Sequence, residues 1–278
     1  MVCAPPAAGW NDPQRLAHSA SLGFPRPPVS SVAEAQPRSL CRILQDCGAE
    51  ISYLPPSPAL SLDAVYTHQA ALATDLGLIA MRPGKTNRVP EATQHREFCW
   101  GIGIPTLAEV QPPGTTEAGD MVWLDEHTLL IGEGFRTNAE GIRQMQQFLQ
   151  PHGVEVLSAP LPYGPGPSAC LHLMSLFSVL DESTVLADLP WLAVQTVELL
   201  KARGYRWIEI DYSERDTLAV NVLSLGGRRL AAIEENRKTN QRLRDAGFEV
   251  HTFPGSEICI NGAGGPTCLT RRLLRTDS

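Results

Sequence analysis

The sequence predicts a mixed α/β fold in which one unit, a helix followed by a glycine and a short strand, occurs five times. The five segments with this pattern are LQDCGAEISYLPP, FCWGIGIPTLAEVQPP, FLQPHGVEVLSAPLP, LLKARGYRWIEID and LRDAGFEVHTFPG. Their marker glycines, separated by 55, 50, 51 and 43 residues, are Gly48, Gly103, Gly153, Gly204 and Gly247. Because any α/β protein repeats helix, glycine and strand at such intervals, the glycines alone leave coincidence open.

Local signals predict the helix and the strand of each unit. Glycine in the left-handed conformation commonly ends a helix, and the β-branched or aromatic residues that follow favour a strand. Asn138 is predicted to cap one helix and Asn240 another. HTLLIGEG and NVLSLGGRRLAAI are predicted hairpin strands, the second of which turns at Gly226 and Gly227.

The composition is that of an ordinary globular protein. The chain has 278 residues, of which 43% are hydrophobic and 19% charged, and its formal net charge is −7. This acidic balance argues against a nucleic-acid surface or a basic membrane anchor. No apolar run reaches the roughly 18 residues of a membrane span, and the start of the chain lacks the pattern of a signal peptide. A cytoplasmic location is therefore expected.

The chain divides into an unusual N-terminal segment and one main domain. Residues 1–30 contain six prolines and are predicted to form a loosely ordered arm or a lid, while 31–278 are predicted to form a single domain. The seven cysteines show no paired spacing, so most are predicted to be reduced and buried. His68, His95 and Cys99 come nearest to a metal cluster but lack a second pair, so neither a metal nor a cofactor is expected.

Polar residues of catalytic types follow four of the marker glycines. Counted from the preceding glycine, they lie 15, 14, 19 and 21 residues further on: Asp63, Glu117, His172 and Cys268. If equivalent units pack around an axis, these positions converge, and a thiol, an imidazole and carboxylates meet. Taken singly, Cys268 is more typical of a buried core thiol and His172 of a core histidine.

Three stretches resemble the guanidine-modifying pentein superfamily. They are GTTEAGDMVWLDEHTLLIGEGFRTNAEGIRQM at 114–145, LHLM at 171–174 and GGPTC at 264–268. The first is most similar to dimethylarginine dimethylaminohydrolases, and the stretch from NVLSLGG to GGPTC is closer to arginine deiminases. The similarity runs from about residue 45 to the end of the chain. It implies a five-bladed, pseudo-fivefold ββαβ propeller with a central active site.

Carried over position by position, the resemblance implies a catalytic set and a set of substrate contacts. Cys268 falls on the nucleophile, His172 on the general acid/base and Glu117 on the carboxylate that orients the histidine. The implied substrate contacts are Asp63, Gln69, Arg88, Asp120 and Arg136.

The roles implied for these substrate contacts differ. Arg88 and Arg136 match arginines that hold a substrate carboxylate, and Asp63 matches a contact to a substrate amine. Asp120 completes the E-x-G-D turn. Alternatively, the two arginines are solvated surface charges, and Glu117 and Asp120 are acceptors within a turn.

The sequence departs from the family where relatives pair the guanidinium with acidic side chains. Here the first acidic step is His68-Gln69, and the position two after His172 is Met174. Gln69 can accept a hydrogen bond through its carbonyl but cannot neutralise a charge. The expected substrate is therefore a substituted guanidine held through backbone carbonyls, or a neutral ureido or amide relative.

The expected function is a cofactor-independent hydrolase that cleaves a C–N bond of a guanidino or amidino compound. As in dimethylargininases or arginine deiminases, a covalent thiouronium intermediate would yield a ureido product and an amine or ammonia. Two alternatives remain, an amidinotransferase and a non-catalytic pentein-fold binding protein. The expected partner is the small-molecule substrate, and a homodimer is left open.

Overall fold

The computed structural model describes residues 1–167, 169 and 171–273. Two helices precede the first sheet, α1 at Pro13–Ala17 and α2 at Ser30–Asp46. No helix in this described part of the chain is long and apolar enough to cross a membrane. The last five residues of the predicted main domain lie outside the described residues.

Four three-stranded sheets repeat one ββαβ arrangement along the chain. In each sheet the first two strands are antiparallel, and the third runs parallel to the second after a helix crosses over. The units are β1 Ala71–Thr74, β2 Gly77–Ala80, α3 Val89–Gly101 and β3 Thr106–Glu109; β4 Met121–Asp125, β5 Thr128–Glu133, α4 Ala139–Leu149 and β6 Glu155–Pro160; β7 Phe177–Asp181, β8 Thr184–Ala187, α5 Val194–Ala202 and β9 Arg206–Glu209; β10 Leu223–Ser224, β11 Arg229–Ile233, α6 Arg237–Asp245 and β12 Glu249–Phe253.

A fifth, shorter unit is assembled from both ends of the described chain. Val2 forms a parallel bridge to Tyr53, and α2 lies between them in the sequence. Met1 and Arg271 exchange main-chain hydrogen bonds, with Arg271 N donating to Met1 O at 2.9 Å and the Met1 amino group to Arg271 O at 2.6 Å. Although no regular strand forms here, these pairings and α2 follow the same order as the four sheets, which is consistent with the pseudo-fivefold propeller.

The marker glycines behave as the sequence predicted. All five adopt φ values between 77° and 94°: Gly48, Gly103, Gly153, Gly204 and Gly247. Only a residue without a Cβ adopts this conformation at little cost, so each glycine ends its helical segment and turns the chain toward the next strand.

One of the two predicted helix caps is confirmed and one is wrong. Asn138 Oδ1 accepts the Gly141 N–H at 2.8 Å and caps α4. Asn240 instead lies inside α6, which begins directly after Asn236, and its amide donates to Ile233 O at 2.9 Å. The start of α6 is instead capped from another segment of the chain, because the Glu214 carboxylate accepts the N–H groups of Lys238 and Thr239, both at 2.8 Å.

Residues 1–30 pack onto the main body, which differs from the loose order that their proline content predicted. Trp10 is fully buried, and its indole N–H donates to Leu62 O at 2.9 Å. Phe24 is also buried and meets Trp10 edge to face at 5.5 Å between ring centroids. The action of this segment as a lid, and its separation from a domain at 31–278, stay predictions.

Candidate active site

Two loops bring a carboxylate and an imidazole into direct contact. Glu117 precedes a short helical turn at Ala118–Asp120, and His172 precedes another at Leu173–Ser175. His172 Nε2 lies 2.7 Å from Glu117 Oε2, and both side chains are almost completely buried. Burial opposes ionisation of Glu117, but the hydrogen bond and charge of His172 and the charge of Arg136 hold its pKa well below the usual value. An ionised carboxylate therefore orients the imidazole.

Asp120 fixes the position of the His172 loop. Its Oδ1 accepts the Leu173 N–H at 3.0 Å, and its Oδ2 accepts the Thr137 hydroxyl at 2.6 Å. The side chain is fully buried, and burial raises its pKa to about 6. Because both oxygens are used within the protein, this geometry does not support the predicted substrate contact by Asp120. It supports the alternative of a structural acceptor.

Cys268 lies in a glycine-rich turn and is half-buried. Its Sγ accepts a hydrogen bond from Asn221 Nδ2 at 3.2 Å. The Asn221 amide is oriented by its other end, because Oδ1 accepts the Thr267 N–H at 3.1 Å. A Cβ on Gly265 would lie 2.5 Å from the Asn221 side chain, so glycine is needed for this close approach. A donor directed at a partly accessible sulfur stabilises a thiolate.

His68 joins the turn that carries Cys268 to the turn that follows Glu117. The His68 N–H donates to Cys268 O at 3.1 Å. On its ring, Nδ1 lies 3.3 Å from Thr270 O and Nε2 lies 3.2 Å from Ala118 O. Cys268 thus belongs to the same contact network as the Glu117–His172 pair.

Gln69 packs beside the imidazole. Its Oε1 accepts the Gly119 N–H at 2.7 Å, and its main-chain O accepts the Ala118 N–H at 3.1 Å. An ideal Cβ on Gly119 would lie 2.7 Å from the Gln69 amide and 3.0 Å from His172 Cγ. The glycine of the E-x-G-D turn therefore lets the amide and the imidazole approach each other.

Asp63 is paired with a lysine that the sequence reasoning did not single out. Asp63 Oδ2 accepts Lys85 Nζ at 2.7 Å and Asn87 Nδ2 at 3.0 Å. Lys85 also donates through Nζ to Leu22 O at 2.7 Å and through its main-chain N–H to Glu117 Oε1 at 3.2 Å. Lys85 thus connects two site carboxylates with the N-terminal segment.

The two predicted carboxylate-binding arginines have different surroundings. Arg136 Nη1 lies 3.3 Å from Glu117 Oε1, and its side chain is 13% exposed at the site. Arg88 is buried and turned inward, where it forms an ion pair with Glu91 at 2.7 Å and donates to Tyr66 O at 2.8 Å. Because Glu91 neutralises its charge, the prediction that Arg88 holds a substrate carboxylate is not supported.

Asn221 and Lys85 are the site residues that sequence reasoning missed. Asn221 lies 17 residues after Gly204, the one marker glycine to which no polar residue was assigned. That spacing could have identified it. Lys85 had no such signal, because the reach of its side chain depends on the loop conformation. Within the described residues, no group of three or more His, Cys, Asp or Glu side chains could hold a metal ion.

The four ββαβ units and the shorter fifth assembly, with a cysteine and a histidine–carboxylate pair in one network, define a member of the pentein superfamily. The chain belongs to the arginine deiminase family, whose model matches residues 48–197 and 190–275. It is 30% identical over 247 residues to the N(G),N(G)-dimethylarginine dimethylaminohydrolase of Pseudomonas aeruginosa, covering 88% of this chain and 90% of that protein. The enzyme of the same name from Streptomyces coelicolor is 28% identical over 216 residues, covering 76% and 74%.

Solved structures agree with this assignment. A mutant of the Pseudomonas aeruginosa dimethylarginine dimethylaminohydrolase complexed with citrulline matches with a TM-score of 0.77 at 26% identity, over 96% of both chains. The N-terminal domain of ArgZ, a cyanobacterial arginine dihydrolase, shares the fold with a TM-score of 0.82 at 20% identity, over 98% and 97%. The ArgZ domain shows the fold alone, whereas the family match and the dimethylarginine dimethylaminohydrolase relatives place the protein among hydrolases that act on C–N bonds of amidines.

Proposed function

We propose that the protein is a cysteine-dependent hydrolase that cleaves a C–N bond of a guanidino or amidino compound through a covalent thiouronium. The observation that carries this proposal is the 2.7 Å contact between His172 and Glu117, in the same network as the half-buried Cys268. The names of the Pseudomonas and Streptomyces relatives support the substrate class. Citrulline in the solved structure of one relative supports a ureido product.

In the first half-reaction, the Cys268 thiolate attacks the amidine carbon. The Sγ–C bond forms, and the π electrons of the C=N bond move onto nitrogen. His172, as an imidazolium, gives its proton to the departing nitrogen, so that the C–N bond breaks and an amine leaves. The enzyme then carries a thiouronium on Cys268, and His172 is neutral. Asn221 stabilises the thiolate before the attack.

In the second half-reaction, water attacks the thiouronium carbon and gives a proton to His172. The tetrahedral adduct forms the ureido carbonyl as the C–S bond breaks, which restores the Cys268 thiolate and the imidazolium. The hydroxyl proton of the adduct passes to bulk water, where the amine released in the first half-reaction takes it up. Glu117 stabilises the imidazolium whenever it forms, and such positioned acid–base groups typically contribute about 10²–10⁴-fold in rate.

Asp63, Gln69 and Arg136 are the proposed substrate contacts. Arg136 is the residue we assign to a substrate carboxylate, because its partly exposed guanidinium lies next to Glu117. A panel of arginine, methylated arginines, agmatine and guanidino acids, scored for ureido product and released amine, tests the reaction class. Turnover of any member supports the proposal, and inactivity on all of them opposes it.

Cys268→Ser is expected to abolish turnover and leave the fold intact, because it changes one partly exposed atom. Cys47→Ser is the matched control, since Cys47 is also half-buried but is distant in the sequence and lies directly after α2. A haloacetamidine should label Cys268 selectively in the folded protein, as located by mass spectrometry. Retained turnover in Cys268→Ser, or labelling spread evenly over several cysteines, would exclude the covalent mechanism.

A further inference from the structure

Asp63, which was predicted to contact a substrate amine, already holds an ammonium group of the protein itself. Lys85 Nζ donates to Asp63 Oδ2 at 2.7 Å and to Leu22 O at 2.7 Å. A carboxylate and a main-chain carbonyl are suitable acceptors for an ammonium group, which has donors only. A second ammonium at Asp63 would therefore meet a carboxylate whose charge Lys85 balances. Because the Asp63 side chain is only 7% exposed, water screens the repulsion between the two ammonium groups weakly.

Lys85 and Arg136 lie side by side at the candidate site. The Lys85 main-chain N–H and Arg136 Nη1 face the same oxygen, Glu117 Oε1, at 3.2 Å and 3.3 Å. An ideal Cβ on Gly84 would lie 3.0 Å from Arg136 O, so the two chain segments are in direct contact. Both cationic side chains are partly exposed, Lys85 by 25% and Arg136 by 13%. This part of the site therefore presents two neighbouring cations to a ligand.

The charges of the site balance when the far end of the substrate is an anion. In the proposed mechanism the Cys268 thiolate faces the substrate guanidinium, which leaves Arg136 for the other end of the substrate. A carboxylate at that end keeps the site neutral, whereas an additional ammonium adds an unbalanced positive charge. The other charges cancel in three contacting pairs and two separate buried groups of opposite sign: Lys85 with Asp63, Arg88 with Glu91, the His172 imidazolium with Glu117, and Arg271 and Asp120.

We propose that Lys85 takes the place of a substrate ammonium, so that the site selects a guanidino acid with a guanidinium at one end, a carboxylate at the other and no amine beside the carboxylate. Within the described part of the chain, Asp63 and Leu22 use two of the three N–H donors of Lys85 Nζ. The substrate carboxylate accepts from the third donor and from Arg136. Asp63, one of the proposed substrate contacts, serves this end of the site by orienting Lys85. This inference rests on the proposed hydrolase function and narrows its substrate class.

The test compares kcat/KM for compounds that share a guanidinium on a four-carbon chain and differ only at the far end. 5-Guanidinopentanoate has the carboxylate alone, L-arginine has the carboxylate and an ammonium, and agmatine has the ammonium alone. The natural protein should prefer 5-guanidinopentanoate to L-arginine by about ten- to hundredfold and turn over agmatine least. Lys85→Met keeps the length of the side chain and frees Asp63 for a substrate ammonium, so it should shift the ratio toward L-arginine by a similar factor. Lys201→Met, the same change at an exposed position in the last turn of α5, should leave the ratio unchanged.

Binding of the same compounds to Cys268→Ser, measured by calorimetry, decides the question without turnover and without a change at Lys85. Equal or better use of L-arginine or agmatine, binding of none of the compounds, or a ratio that Lys85→Met does not move would each overturn this inference. Absence of hydrolysis combined with preferred binding of 5-guanidinopentanoate would instead oppose the proposed hydrolase function and support the guanidino-acid site. The two failures are therefore distinguishable.

Discussion

Glu117 carries its charge at 1% exposure because donors from three separate segments face its two oxygens. His172 contacts Oε2, whereas Arg136 and the Lys85 main-chain N–H contact Oε1. A buried carboxylate without such partners would hold a proton. The pairing keeps the imidazole oriented and lets His172 gain and lose a proton without leaving an unpaired charge behind.

Because of Asp120, the free energy of unfolding should fall as the pH rises from acid toward neutral. Burial raises its pKa to about 6, above about 3.9 in an unfolded chain, so the folded state binds the proton more tightly. This stabilisation is full below about pH 4 and is lost as pH rises through about 6. Between these limits the free energy of unfolding should fall, relative to Asp120→Asn, by roughly 3 kcal/mol at most. Urea titrations of both proteins measure this difference, and parallel pH courses would contradict it.

The spacing from the marker glycines singled out Glu117, His172 and Cys268, and the structure places them in one contact network, but their catalytic roles came from the family resemblance and stay proposals. The sequence did not predict the environment of Arg88, since the identity of a residue does not determine whether its side chain points to solvent or into the core. The inward orientation had a signal in Glu91, three residues later on the same helical turn, which can pair with it. Lys85 had none, because its contact with Asp63 depends on the path of a loop.

At the scale of elements, helix α4 positions the loop that leads into Glu117. An ideal Cβ on Gly141, in the first turn of α4, would lie 2.2 Å from Thr115 O and 2.7 Å from the Thr116 side chain. Asn138 also links the start of α4 to this loop, because its Oδ1 accepts the Thr115 N–H at 3.0 Å. The start of the helix and the loop before the general acid/base pair are therefore packed backbone against backbone.

Gly141→Ala should destabilise the protein although alanine is the better helix former. The added methyl group must displace Thr115 O, and overpacking of this kind typically costs about 1–3 kcal/mol. Gly101→Ala, at the end of α3, is the matched control because a Cβ there meets nothing within 4 Å. That control should be neutral or stabilising by up to about 1 kcal/mol. Equal effects of the two substitutions in chemical denaturation would show that the Gly141 contact does not constrain the loop.

The helix ends were predictable because the left-handed conformation that ends a helix favours glycine, and glycine is visible in the sequence. The strand order within each unit was not predictable from that mark, since antiparallel and parallel neighbours share the same alternation of residues. The start of α6 shows the same limit. Neither Asn236 nor Asn240 caps this helix through its side chain, because Glu214 from another segment accepts its first free N–H groups.

At the scale of the whole molecule, the two ends of the described chain complete the fifth unit. Met1 and Arg271 are 270 positions apart, yet they form a main-chain pair, and the adjacent Val2 pairs with Tyr53. Local sequence patterns do not predict a pairing between residues this far apart. The six prolines of residues 1–30 instead predicted a loosely ordered segment. A proline-rich segment can still be well packed when its prolines begin short helices and its large apolar side chains reach the core.

Trp10→Ala therefore tests whether residues 1–30 fold with the rest of the molecule. The indole is fully buried and donates to Leu62 O, so truncation should lower the free energy of unfolding by about 3–5 kcal/mol. Trp100→Ala provides a control of the same residue type at 70% exposure, where the change should stay within about 0.5 kcal/mol. Chemical denaturation followed by circular dichroism measures the global transition in both variants. An unchanged midpoint for Trp10→Ala would mean that the N-terminal segment opens as a separate arm before the propeller unfolds, whereas a shifted single transition would make it part of the same cooperative unit.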